Sequence, residues 1–428
     1  MRFCTATLGC KVNQFETQAM ESILISGGGI LVKPGGGCDI CIVNTCAVTA
    51  ESERKSRQTV RRMKKLEPDA LVAVCGCLSQ LDPEAIKRLG ADLIGGTGDR
   101  KGFVKEIETE NRPLSHCLID DLAQRPGFEE LQPGASSGRT RALLKIQDGC
   151  DNYCAYCVVP YVRGRVRSLP IKRIADQTRQ LQKQGFLEIV ITGIEISSYG
   201  KDLGSGPSLV DAVRETCVAA PKARVRLGSL DPRVLTEDFC RELSAIPNLC
   251  PHFHLSLQSG CDETLRRMGR RYSTSAVLDS IVSLRRLFPD CGITADLIAG
   301  FPGETDAEFM QTLEFIRSAA FSDMHVFPYS PRPGTRASDM PEQIEKNVRK
   351  ERAGIAAAAA SMMAHDFKLR QIGTTADVLF ERKRGGFWTG LTGNYLEVSV
   401  RAGGSKNSVQ TVEITDIVDG IAWGEIVN

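Results

Sequence analysis

The 428-residue chain has no run approaching the roughly 20 apolar residues of a membrane span. It has no extended apolar stretch behind Met1-Arg2-Phe3-Cys4-Thr5 of the kind a secretory leader carries. It also has almost no charge excess, with 54 Lys and Arg against 52 Asp and Glu. The first two absences argue against a membrane or secreted protein and point to the reducing cytoplasm. The third excludes a global positive field, so any nucleic-acid partner must be met by local patches. Hydrophobic residues at 42% and charged residues at 25% are ordinary for a soluble globular chain, and the length allows two or three domains. Against these absences stand sixteen cysteines. In a long cytosolic chain, clustered cysteines bind metal or iron-sulfur more often than they pair.

Cys150, Cys154 and Cys157 stand as C-x3-C-x2-C directly after the apolar run Ala142 to Ile146. A fourth cysteine close behind, as a ferredoxin run would bring, is missing. The paired C-x2-C spacing and fourth ligand of a structural zinc site are missing too. Three thiolates suit three irons of a 4Fe-4S cube, leaving the fourth iron free for a small molecule. Three buried thiols or a zinc site remain the alternatives on spacing alone.

From Met1 to about Arg112 short apolar runs (Arg2 to Leu8, Ile40 to Asn44, Leu71 to Val74) alternate with helical stretches, which reads as an α/β layer on a parallel sheet. Each run leads to a cysteine: Cys10, Cys46 and Cys77. Ligands collect at the carboxyl ends of strands in open α/β sheets, so three distant thiols have one edge at which to converge. Asp121 to Gly138, rich in Pro, Gly and Ser, reads as a linker. Beyond it six apolar runs separated by amphipathic helices, the first helix being Ile171 to Gln184, predict a partial (β/α)6 barrel with its site at the strands' carboxyl ends. Pro341 to Arg370 is helix-rich. The runs Asp377 to Glu381, Tyr395 to Val400 and Thr411 to Ile417 then suggest a small β-barrel. The expected domains are 1–120, 136–366 and 369–428.

Of the ten cysteines outside the two triplets, Cys38 and Cys41 form a C-x2-C. Cys41 lies inside a strand run, where a small buried thiol is the simpler explanation.

The triplet at Cys150, Cys154 and Cys157 resembles that of the radical S-adenosylmethionine (SAM) enzymes. The segments around Gly9-Cys10-Lys11-Val12-Asn13-Gln14, Asn44-Thr45-Cys46-Ala47-Val48 and Cys75-Gly76-Cys77 resemble the three signatures of the methylthiotransferase N-terminal domain. The small terminal barrel, called TRAM and RNA-binding in that family, stands in the family's order, so the resemblance covers essentially the whole chain. It implies two 4Fe-4S clusters, on Cys150/Cys154/Cys157 and on Cys10/Cys46/Cys77, with no catalytic residues beyond these ligands. It implies reductive cleavage of SAM to a 5′-deoxyadenosyl radical, removal of hydrogen from C2 of an adenine, and delivery of a methylated sulfur. Gly9-Cys10-Lys11-Val12-Asn13-Gln14 and His325-Val326-Phe327-Pro328-Tyr329-Ser330 resemble the branch acting on N6-threonylcarbamoyladenosine (t6A) at position 37 of tRNA. One departure is Glu195, where that branch often has His. Methylthiolation of isopentenyladenosine, or of an aspartate in ribosomal protein S12, is the alternative within the family. A non-catalytic metal-containing RNA-binding protein is the alternative outside it.

The resemblance places SAM against Tyr156 and the turn Gly300-Phe301-Pro302-Gly303-Glu304, with Glu195, Ser229, Ser256 and Gln258 near other strand ends. For tRNA, the candidates are Arg61 and Arg62 on a basic helix, Arg163, Arg165 and Arg167 after the cysteine loop, and Trp388, with Phe387 and Tyr395 beside it, in the terminal barrel. The remaining expected partners are an electron donor such as flavodoxin or ferredoxin and a sulfur source. The expected state is a cytoplasmic monomer with no membrane contact.

Overall fold

A computed structural model describes residues 1–109, 116–125, 127–134 and 139–427. The first sheet has six parallel strands in the order Ile30–Leu31, Arg2–Thr7, Ile40–Thr45, Leu71–Gly76, Leu93–Gly95, His116–Leu118. Every residue of the central Ile40–Thr45 is buried, as expected of a strand covered on both faces. The three strands read from the sequence are present. The other three are only two or three residues long and carry too little periodicity to be seen in the sequence.

The helix Lys11–Ser26 follows the first strand, with Cys10 at its N-cap. Its buried Met20 and Leu24 join the core of the first sheet. Phe15 and Ala19, on another face, pack instead with Leu131, Leu143 and Val190. The helix Ala50–Leu66 starts on a capping box in which Thr49 and Ser52 satisfy each other's backbone N–H, and Lys64 and Lys65 suit the negative end of its dipole.

In the second unit the strands Arg141–Lys145, Glu188–Thr192, Arg224–Leu227, His252–Gln258, Gly292–Ala299 and Asp323–Pro328 run parallel in chain order. After Gly228 the third run continues as Ser229–Leu230 and pairs with the fourth strand, so the wall is bent there. The helix-facing side of this wall carries Leu144, Ile189, Ile191, Val225, Phe253, Leu255, Ile293, Ala295 and Leu297 in one large core. By strand alternation Lys145, Glu188, Arg226, His252, His254, Thr294, Asp296 and His325 face the lumen. The partial barrel expected from six β/α units is therefore present. The helix Ile171–Lys183 ends beside Gly185 at φ +86°, and the helix-rich tail is one helix, Lys346–Leu369, packed on the barrel through Ala353, Ala356, Ala359, Ala360 and Met363.

The described part of the connector from Asp121 is packed rather than free. Leu131 is buried against Phe15, and the Arg125 guanidinium donates to Asp120 at 2.9 Å and Thr97 at 2.7 Å. The rest of that reading, residues 126 and 135–138, and Arg112 lie outside the described residues.

The C-terminal strands Thr375–Arg384, Phe387–Leu391, Glu397–Val400, Ile421–Ile426 and Ser408–Val418 close into a barrel consistent with a TRAM domain. It docks at the amino ends of the large barrel's strands. There Arg226 donates to the carbonyls of Thr392 and Gly393, and Arg224 to that of Leu391. Among the described residues no helix is long and apolar enough to cross a membrane.

Candidate functional site

The cysteine loop begins where the first barrel strand ends. Gly149 has φ +74°, and a Cβ there would lie 1.8 Å from the Arg165 carbonyl oxygen, so only glycine lets the loop fold back on the segment that leaves it. Cys150 N–H donates to the Gly164 carbonyl, and Cys157 N–H to that of Cys154. The three thiols are close enough to influence one another electrostatically. Burial pushes the Cys150 thiol up to about 11 and Cys157 up to about 12, although amide N–H groups of Asn152 and Val159 favour their thiolates. Left alone such thiols hold their protons, and a bound cation displaces them. Donor type, amide bonds to sulfur and the Arg270 guanidinium 3.4 Å from the Cys154 sulfur all fit a thiolate-held 4Fe-4S cluster.

Several residues assigned to SAM gather around this loop. Tyr156 meets Phe301 edge to face at 6.4 Å, and Phe301 meets Tyr329 at 5.4 Å. The turn carrying Gly300 and buried Pro302 therefore lies beside the loop, held by Glu304, whose carboxylate accepts the N–H groups of Gly300 and Phe301. Glu195 lies within electrostatic reach of Cys150, but its carboxylate caps a turn by accepting from Ser197 and Ser198. Gln258 sits at φ +70° on a strand irregularity, and the Ser256 carbonyl accepts from Arg270 and Tyr272. Ser229 is exposed on the bent third strand.

Sequence reading missed Asp231, Arg270 and Tyr272. Arg270 joins Cys154, the Ser256 carbonyl and the Asp231 carboxylate, the last at 3.3 Å. Asp231 lies on a different segment from Arg270 and Tyr272, and no spacing links either segment to the cysteine loop.

The loops that carry Cys10, Cys46 and Cys77 come together at one edge of the sheet. Gly9 has φ +95°, and a Cβ on it would lie 2.8 Å from Cys46 Cβ and 2.9 Å from its sulfur, so the first and second loops are in contact. Cys77 feels both Cys46 and Cys10, and burial pushes its thiol up to about 12, opposed by Arg163. Asn13 fastens the loops: its side-chain NH2 donates to the carbonyls of Leu8 at 2.8 Å and Thr45 at 2.9 Å, while its oxygen accepts from Arg163 at 2.7 Å. Ser56 ties down Cys46 by bonding both its N–H and its carbonyl. This thiol set also fits a thiolate-held cluster. Gly9→Ala is expected to force Cys46 aside and lower the iron held by the reconstituted protein, read by metal analysis beside an unchanged far-ultraviolet spectrum.

Arg163 connects the two triplets. It leaves the helix Val159–Arg163 just after Cys157, is fully buried, and donates to Glu16 at 2.7 Å and to Asn13. Glu16 also accepts from Lys145 at 3.0 Å and Arg100 at 3.0 Å, and Asp148 accepts from Lys145 at 2.7 Å. Burial works to raise the pKa of Glu16, but Arg163, Lys145 and Arg100 outweigh it and hold the carboxyl well below the usual range.

Three of the residues expected to touch RNA are therefore placed otherwise. Arg163 and Arg167 are buried, Arg167 donating to the carbonyls of Arg163 and Arg165, because their charges are spent on the interior network. Tyr395 stacks on His252 at 4.4 Å in the seam between the barrels, 4.9 Å from the Arg226 guanidinium. Trp388 packs against the small barrel's core, while Arg165 is exposed. Arg61 and Arg62 are exposed and, with Lys55, Lys65, Gln58, Thr59 and Leu8, line a concavity of about 530 Å³. Leu8 is two residues from Cys10, so this basic hollow adjoins the second triplet.

The lumen holds a further polar set. Asp296 lies between two imidazoles, 3.1 Å from His254 and 3.2 Å from His325, and Thr294 completes the row at 2.8 Å from His254. Lys11 keeps exposed surface, yet its ammonium reaches toward Tyr395, Arg141, Arg226 and Glu188, and burial lowers its pKa. The ligand atoms of His254, Asp296 and His325 are close enough for a single ion, as are those of Cys4, Cys38 and Cys41.

Comparison with known proteins agrees with this architecture. Residues 144–316 match the Radical SAM superfamily model, and residues 2–96 match the model described as uncharacterized protein family UPF0004. The chain is 38% identical to the threonylcarbamoyladenosine tRNA methylthiotransferase MtaB of Thermotoga maritima, over 88% of this chain and 85% of that one. It is 34% identical to the protein of the same name in Bacillus subtilis, over 92% and 88%. Among solved structures, the radical SAM methyltransferase TsrM of Kitasatospora setae superposes with a TM-score of 0.57 at 14% identity, covering 85% of this chain and 89% of that one, which is a likeness of fold. The superfamily match implies a 4Fe-4S cluster and SAM, and the identity to the two MtaB proteins runs over most of both chains. The chain belongs to the radical SAM methylthiotransferase family.

Proposed function

We propose that the protein methylthiolates C2 of t6A at position 37 of tRNA, giving 2-methylthio-t6A, with two 4Fe-4S clusters and two molecules of SAM. The observation that carries this reading is the Arg163–Glu16–Asn13 network, which fastens both cysteine triplets to one interior. When bound, the clusters supply the electron for SAM cleavage and the site that carries the transferred sulfur. Cys150, Cys154 and Cys157 hold one cluster, and Cys10, Cys46 and Cys77 the other. Tyr156, Glu195, Ser229, Ser256, Gln258, Gly300 and Pro302 surround SAM, with Arg270 fixing the Cys154 sulfur. Catalysis then rests on positioning in an interior from which water is excluded.

Lys11 supports the substrate assignment. The threonylcarbamoyl group ends in a carboxylate, and an ammonium among the guanidiniums of Arg141 and Arg226 suits it. An apolar isopentenyl group would offer that ammonium nothing to pair with. Arg61, Arg62 and Arg165 remain the phosphate contacts, which position RNA without reading its sequence. A flavodoxin or ferredoxin and a sulfur source complete the reaction in the cytoplasm.

Expression in a strain lacking its own 2-methylthio-t6A enzyme, with mass spectrometry of tRNA nucleosides, tests the proposal. Restored 2-methylthio-t6A is expected. Lys11→Met should lower its yield by about tenfold or more, the worth of a charge-assisted hydrogen bond, with substrate-free SAM cleavage unchanged. Appearance of 2-methylthio-isopentenyladenosine, or of added mass on ribosomal protein S12 alone, would overturn it.

A further inference from the structure

The C-x2-C of Cys38 and Cys41, set aside because Cys41 reads as a small buried strand thiol, is part of a three-sulfur triangle. Cys4 and Cys41 are register partners on the adjacent parallel strands Arg2–Thr7 and Ile40–Thr45, and Cys38 lies in the loop leading into the second strand. The sulfur separations are 3.2 Å for Cys4–Cys41, 3.4 Å for Cys38–Cys41 and 3.6 Å for Cys4–Cys38. Cys38 and Cys41 lie at the start of the second strand and Cys4 in the first half of the first, toward the end of the sheet opposite the edge that gathers Cys10, Cys46 and Cys77. Neither cysteine triplet of the proposed function uses them.

We propose that Cys4, Cys38 and Cys41 bind one zinc ion, with solvent in the fourth position. Sulfurs bound tetrahedrally at about 2.3 Å from zinc stand roughly 3.8 Å apart, so each must spread by only a few tenths of an ångström. A disulfide would have to draw two of them to about 2 Å and would leave the third unused. The near-equal triangle favours the ion.

The loop is built to hold its thiol there. Glu67 is buried, and its carboxylate accepts from Gly35 N–H at 2.8 Å, Gly37 N–H at 3.1 Å and Cys38 N–H at 3.3 Å. Arg2 clamps the same loop from the other side through the carbonyls of Gly36 and Gly37. Cys4 and Cys41 are buried among apolar neighbours that include Val43, Val60 and Val72, whereas Cys38 is half-buried and gives the ion a way in. Thiolates select thiophilic ions. Three of them leave one net negative charge around a divalent ion but two around copper(I), and Glu67 close by makes the smaller residual charge the cheaper one to bury. Zinc here would pin the glycine-rich loop to the sheet.

The test uses the full chain purified without oxygen and with its iron-sulfur clusters reconstituted, iron and zinc being counted in one sample. One zinc beyond the iron is expected. Competition with a chromophoric chelator should show Cys38→Ser weakening zinc by roughly 100-fold or more with iron unchanged, and Cys41→Ser doing the same. Cys117→Ser, an exposed thiol at the far edge of the sheet, should alter neither count. Cys38 lies in a loop, so its variant keeps the fold if Cys41→Ser does not. Zinc retained by Cys38→Ser, zinc bound only when iron is removed, or a zinc-free protein that loses two thiols on mild oxidation would each overturn the proposal. The measurement does not depend on methylthiotransferase activity.

Discussion

Glu16→Ala is expected to destabilise the protein by about 3–5 kcal/mol, the usual consequence of removing one partner from a buried charge network. Arg100 and Arg163 are fully buried, Lys145 is 1% exposed, and all three lose the carboxylate on which they converge. Asp148 still faces Lys145 and Arg163, but it cannot reach Arg100 as Glu16 does. Glu16→Gln should be nearly as damaging, because it keeps volume and removes the charge. Replacement of Glu51, whose partners Arg54 and Lys55 stand in solvent, should be close to neutral. Denaturant unfolding of the three variants checks the order. A pH series adds a second reading. The folded carboxyl titrates below its ordinary 4.5, so its contribution is complete above that value and is lost as pH falls through the folded pKa. Glu16→Ala should therefore flatten the acid limb of the stability curve. A Glu16→Ala protein as stable as the parent would mean that the cations find other partners.

How much of this was legible beforehand depends on whether a property is local in the chain. The apolar runs and glycine stops gave the α/β layer, the six barrel strands and the helix Ile171–Lys183, because each is set within about fifteen residues. The strands Ile30–Leu31 and Leu93–Gly95 exist only because a neighbour pairs with them. In the terminal barrel, Phe387–Leu391 and Ile421–Ile426 were missed because each is short and carries a glycine, Gly390 or Gly424, at which a partner strand passes close. At the site, spacing singled out Cys150, Cys154 and Cys157, while the convergence of Cys10, Cys46 and Cys77 needed the rule that strand ends gather ligands. Arg163 shows the limit. Its sequence neighbours Arg165 and Arg167 make it look like part of a basic surface, but Glu16, 147 residues away, takes it inside. Charge in a sequence says nothing of burial until the partner is located. The same holds for Cys41, whose strand position is right and whose two sulfur neighbours are invisible from it.

Removing the two cysteine triplets separately should split the reaction. Cys150→Ala/Cys154→Ala/Cys157→Ala is expected to abolish both SAM cleavage and the methylthiolated product, since the proposed function gives these thiols the cluster beside Tyr156 and the Gly300 turn. Cys10→Ala/Cys46→Ala/Cys77→Ala should retain reductive release of 5′-deoxyadenosine and make no methylthiolated nucleoside, while iron falls from two clusters' worth to one. The second variant is the more informative because its fold is safeguarded. Asn13 holds Leu8 and Thr45 by their carbonyls, and Ser56 holds the backbone of Cys46, so the loops are tied without sulfur. Losing the thiols therefore removes the proposed ligands rather than architecture. Chromatographic assay of 5′-deoxyadenosine, iron analysis and nucleoside mass spectrometry on the same preparations check all three outcomes. If the N-terminal variant kept its full iron and still delivered sulfur, Cys10, Cys46 and Cys77 would not be cluster ligands and the two-cluster reading would fall. If it lost SAM cleavage as well, the buried Arg163 bridge would have to carry more than position between the two halves.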